Sequence, residues 1–140
     1  MLDETLIQRI LEFEKREPFI EVQLSEKETN ELQYVLESKN ILFRILDFTE
    51  VDSKQKLMLE FEKKLEFPEY FGRNWDALFD CLRDFSWTDA TGFVFVIPCL
   101  PNLTLHETYN LLDVLFESWV HWRSGGRRNL FKVIFSPYKK

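Results

Sequence analysis

The sequence predicts an α/β fold in which a small, mainly parallel three-stranded sheet is packed by helices and carries an N-terminal α/β extension. Short apolar runs occupy residues 41–46, 93–97 and 130–135. The segments between them repeat their apolar residues at helical spacing. The middle run, Phe93-Val94-Phe95-Val96-Ile97, is apolar throughout, as expected of a strand covered on both faces. Helices alternating with such strands imply right-handed crossovers and parallel pairing.

From residue 41 onward the expected order is β-α-α-β-α-β. Ser53 is a plausible N-cap for a helix whose Leu57, Phe61 and Leu65 recur every four residues, with Met58 beside them. A second helix should open near Asn74 and run to about residue 85. Pro98 ends the middle strand, because proline removes a ladder hydrogen bond. A third helix spans about 105–122, with Leu112, Leu115, Trp119 and Trp122 at helical spacing, and Gly125-Gly126 supplies the exit. Residues 1–40 predict a helix over 2–15, a strand over 19–24 and a helix to about residue 37. That last helix opens on the capping box Ser25-Glu26-Lys27-Glu28. The extension either adds a strand to the sheet edge or forms a small subdomain. No Pro/Gly/Ser-rich linker sets it apart, so the expected organisation is an extension over 1–40 packed on a core domain over 41–140.

Composition narrows the function. The chain has 140 residues, suited to one domain, and only 4 Gly, which leaves little room for phosphate-cradling loops. No apolar run approaches the ~20 residues of a membrane span, and the acidic opening Met1-Leu2-Asp3-Glu4-Thr5 is unlike a secretory signal. The expectation is a cytoplasmic protein whose Cys81 and Cys99 stay reduced. No P-loop, dinucleotide fingerprint or zinc pattern is present. His106 and His121 lack partners at catalytic or metal-binding spacing, and Cys81 reads as a packing residue, so an enzyme is not expected.

Charge is unevenly spread. The chain holds 18 Lys+Arg against 24 Asp+Glu, a net of −6. The last twenty residues contain six bases (Arg123, Arg127, Arg128, Lys132, Lys139, Lys140) and no acid, leaving −12 on the first 120. An acidic body repels nucleic acid and favours a basic protein partner. The basic tail is expected to screen its own protein.

The most informative stretch is 67–85. Pro68 and Gly72 bracket a tight loop leading to Asn74, a candidate N-cap. Trp75, Leu78, Leu82 and Phe85 then form one apolar face, while Asp76, Asp80 and Asp84 fall at i, i+4 and i+8 on another. Like charges at that spacing oppose helix formation by about 0.2–0.5 kcal/mol per pair. The macrodipole favours Asp76 but not Asp84. Nothing local accounts for three acids; they read either as a solvated face that keeps the protein soluble or as a surface built to meet positive charge.

The run Pro68-Glu69-Tyr70-Phe71-Gly72-Arg73-Asn74-Trp75-Asp76-Ala77-Leu78-Phe79-Asp80-Cys81-Leu82 resembles the signature of the barstar family, intracellular inhibitors of secreted bacterial ribonucleases. The resemblance extends more loosely over about 41–136, where the elements arrive in the family's order; residues 1–40 lie outside it. It implies a barstar-like three-layer fold and a cofactor-free immunity protein that plugs a basic ribonuclease, binding neither nucleic acid nor membrane. The loop and acidic helix would enter the enzyme's active-site cleft, their carboxylates standing where RNA phosphates would lie. The implied partner-binding residues are Tyr70, Phe71, Gly72, Asn74, Asp76, Phe79, Asp80 and Asp84. Asp80 would be the deeper anchor, and Glu117 or Asp113 would join from the third helix. Gly72 would let the loop backbone approach the partner closely. Against the family pattern, Phe71 stands where a second tyrosine is frequent, Phe79 replaces a common tryptophan, and Arg73 and Arg83 place positive charge beside the acids. A second reading is an adaptor of the same fold that binds another protein through residues 1–40.

Overall fold

All three apolar runs are strands in the computed structural model, which describes residues 2–14 and 16–136. The elements are α1 (Glu4–Leu11), β1 (Phe19–Glu21), α2 (Glu26–Glu37), β2 (Ile41–Ile45), α3 (Lys54–Leu65), α4 (Trp75–Leu82), β3 (Gly92–Ile97), α5 (Leu105–Arg123) and β4 (Leu130–Phe135). The strands form one sheet in the order β1-β4-β3-β2, and every pairing is parallel. The sheet thus has four strands where the sequence predicted three. The fourth comes from the N-terminal extension: Phe19, Ile20 and Glu21 pair with Val133, Ile134 and Phe135. Of the two arrangements the sequence left open for residues 1–40, the strand added to the sheet edge is the one adopted.

Helix boundaries follow local chemistry. Asp3 caps α1 and Ser53 caps α3, and Ser25 and Glu28 form the expected reciprocal box at α2, with Glu28 N–H donating to Ser25 Oγ at 3.1 Å and Ser25 N–H to Glu28 Oε1 at 3.0 Å. A second box, Thr104 with Glu107, opens α5. The first helix is shorter than its apolar pattern suggested, ending where Glu12 turns extended.

Period-two alternation divides the strands between two cores. Phe93, Phe95, Ile97, Phe131 and Val133 face α3, α4 and α5, among Leu57, Phe61, Leu78, Leu82, Leu115 and Trp119. Phe43, Val94, Val96, Leu130 and Ile134 face the other way, covered by Leu6 and Ile10 of α1 and Leu32 and Leu36 of α2. The result is helix–sheet–helix, and the N-terminal segment supplies one whole layer.

That layer is also tied by charge. Lys132 lies in β4 on the N-terminal face, 1% exposed, and its ammonium donates to the Glu17 carbonyl at 2.6 Å. Burial lowers its pKa, partly opposed by the Glu17 carboxylate. Arg128 pairs with Glu14, and its guanidinium and that of Arg123 lie 4.4 and 5.3 Å from the Phe13 ring centre. The basic C-terminal stretch is therefore engaged with the protein's own N-terminal segment; Lys139 and Lys140 lie outside the described residues. Among the described residues no helix is long and apolar enough to cross a membrane.

Candidate functional site

The loop before α4 is held from below by aromatic packing and from one side by charge. Phe67 and Phe71 are both buried, their rings edge-on at 4.8 Å. Phe71 N–H donates to the Pro68 carbonyl at 3.0 Å, closing the turn. Phe71 thus anchors the loop in the core, which removes its ring from the surface expected of it. Tyr70, next to it, points the other way and is 73% exposed.

Asn74 starts the helix as its sequence position suggested. Its backbone is extended, and its Oδ1 accepts from Ala77 N–H at 2.8 Å. The residue in the left-handed region is Arg73, at φ 54°, and not Gly72. At Gly72 the backbone passes close to the helix start: a Cβ there would sit a tight 3.3 Å from Asn74 Nδ2 and an ordinary 3.5 Å from Ala77 Cβ. Arg73 is held by Glu62 of α3, its Nε donating to Oε1 at 3.0 Å and its terminal nitrogen to Oε2 at 3.3 Å. The loop's one cation is thereby directed onto the protein itself.

Helix α4 is shorter than the three turns the acid spacing implied. It ends at Leu82, with Arg83 as its C-cap. Phe85 then adopts φ 50° and turns the chain so that its ring stacks on Phe93 at 4.4 Å. A bulky residue at positive φ is uncommon; here core packing holds it. Asp84 accordingly lies beyond the helix, in the turn, accepting from Ser86 Oγ at 3.2 Å. Asp76 and Asp80 remain on α4 and are exposed. The Asp84 carboxylate faces the loop: with loss of hydration as the larger cause, it helps raise the Tyr70 hydroxyl pKa.

The opposite face of α4 is buried through Leu78, Cys81 and Leu82. Burial, reinforced by Asp84 and then Asp80, pushes the Cys81 thiol up to about 11, so it is neither thiolate nor nucleophile near neutrality. Asp80 accepts from Arg83, and the Arg83 guanidinium lies 3.8 Å above the Phe79 ring centre. Phe79 is half-buried against the core.

Helix α5 reaches α4 at its far end. Trp122 Nε1–H donates to the Leu82 carbonyl at 2.7 Å, satisfying one of the free acceptors of the α4 C-terminus. Burial, with help from the Arg127 and Arg83 charges and partly opposed by the nearby Arg83 backbone, lowers the His121 pKa. The resemblance implied a carboxylate from this helix, Glu117 or Asp113; both are exposed earlier along α5, and the hydrogen bond from α5 to the end of α4 is made by Trp122. No cluster of His, Cys, Asp or Glu among the described residues is arranged to hold a metal.

Comparison with known proteins agrees with the motif. The family described as Barstar (barnase inhibitor) matches residues 41–136, well over half of the chain. A protein of Bacillus subtilis (strain 168) named "Putative ribonuclease inhibitor YrdF" is 42% identical over 45 residues, 32% of this chain and 47% of that protein. The match thus spans about half of that relative's length. With a parallel sheet sandwiched between helices, the Asn74-capped acidic helix and a family match from the first central strand through the last, the chain belongs to the Barstar family.

Proposed function

We propose that this protein is a non-covalent, cofactor-free inhibitor of a basic ribonuclease, an immunity protein that covers the enzyme's active site with α4 and the loop before it. The observation that carries the reading is the exposed pair Asp76 and Asp80 on a helix held at its two ends by Asn74 and Trp122, with exposed Asp84 in the turn after it and exposed Tyr70 in the loop before it. A rigid acidic face loses little conformational freedom on binding, and its carboxylates are placed to pair with the cations that otherwise hold RNA phosphate. The acidic body steers such a partner toward it. Gly72 and Asn74 act by shaping the loop, Asp80 is the anchor, and Phe79 borders the contact. Glu117 is assigned a place at the rim.

Barnase, named in the family's description, is the natural probe. Asp80→Ala is expected to weaken inhibition by about a hundredfold or more, because it strands a desolvated partner cation. Asp84→Ala, in the turn, should change it by less than about fivefold. Both variants should unfold like the parent. Equal losses would remove Asp80 from the anchor role.

A further inference from the structure

The carboxylate on which the inhibitory reading depends most is already occupied in the free protein. Arg83 donates a terminal N–H to Asp80 Oδ1 at 2.6 Å, and its Nε to the Phe79 carbonyl at 3.4 Å. Its guanidinium carbon lies 3.8 Å above the Phe79 ring. One side chain thus engages both the proposed anchor, through one carboxylate oxygen, and the aromatic residue beside it. It does so from the C-cap position, where a cation is also favoured by the helix dipole. The two partners remain reachable: the Arg83 side chain is 36% and that of Asp80 71% exposed. The other arginine of this segment, Arg73, is directed away onto Glu62. Asp76 joins none of the ion pairs among the described residues.

We propose that Arg83 is a specificity-determining residue that stands in for the partner's cation: it closes Asp80 in the free protein and yields only to a partner whose own guanidinium or ammonium displaces it. The inference rests on the inhibitory reading of the same surface. An exposed i,i+3 pair is readily opened, so the gate lowers affinity only by a few-fold. Its selective effect is larger, because the displaced Arg83 remains beside the incoming cation. A basic partner that fails to satisfy Asp80 meets an unrelieved like charge. A partner that pairs with Asp80 recovers what the internal bond gave up.

The test is a four-variant cycle against barnase, using the full chain: parent, Arg83→Gln, Asp80→Asn and the double variant, each checked for parental thermal unfolding. Arg83→Gln is expected to tighten inhibition by about three- to tenfold and to speed association. The gain should vanish in the Asp80→Asn background, which separates a local gate from a general change of net charge. Arg83→Lys, which keeps the charge but not the planar fork over Phe79, should fall between parent and Gln. Unchanged or weaker inhibition by Arg83→Gln, or a full gain without Asp80, overturns the proposal. Loss of binding by parent and Arg83→Gln alike overturns the inhibitory reading and this proposal with it, whereas intact parental binding with no gain overturns this proposal alone.

Discussion

A single amide oxygen fixes where the acidic helix begins. Asn74 Oδ1 accepts from Ala77 N–H, and Gly72 leaves the space for that side chain. Asn74→Ala should therefore cost about 1 kcal/mol of stability, with Asn74→Gly losing less. Denaturant unfolding reads both, and a cost within experimental error would show that the loop is held without the cap. Such local devices were legible in the sequence: Ser25 with Glu28, Ser53 and Asn74 all cap the helices their spacing suggested. Pairings that need the folded chain were not. Arg73 and Glu62 are eleven residues apart and meet only because α3 and the loop are brought side by side. Phe71, adjacent to the exposed Tyr70, carries no local sign of which ring faces the core.

At the level of elements, periodicity identified each helix and strand after residue 40 but not their ends. Acid spacing extended α4 through Asp84, whereas the chain leaves the helix at Arg83 and turns at Phe85 to bury its ring. That choice is made by Phe93 and Trp122, neither of them near in sequence. The N-terminal segment has the same lesson. Its strand completes the sheet edge, and α1 and α2 cover Phe43, Val94, Val96 and Ile134. The inner faces of α1 and α2 are engaged in this packing, as expected of an extension that packs on the core, so a partner bound as in the adaptor reading would meet their outward faces. Removing residues 1–40 should uncover this apolar face and leave Lys132 without the Glu17 carbonyl. A 41–140 fragment is expected to aggregate or lose cooperative unfolding, as judged by size-exclusion chromatography and circular dichroism. A folded, monomeric fragment that still inhibits would show that the extension is separable.

Over the whole molecule, the net charge of −6 combines an acidic body with a basic C-terminal stretch engaged with the N-terminal segment through Arg123, Arg128 and Lys132. The acids of α4 and its following turn are left facing outward. This arrangement gives the proposed inhibitor both its anchor and its long-range attraction, and the attraction weakens as salt shortens the reach of exposed charges. The most direct test is a titration of barnase activity with the full chain at low and at tenfold higher salt. The account predicts loss of activity to an end point at one molecule per enzyme, with slower association in high salt. Full ribonuclease activity in the presence of a large molar excess at low salt would contradict it.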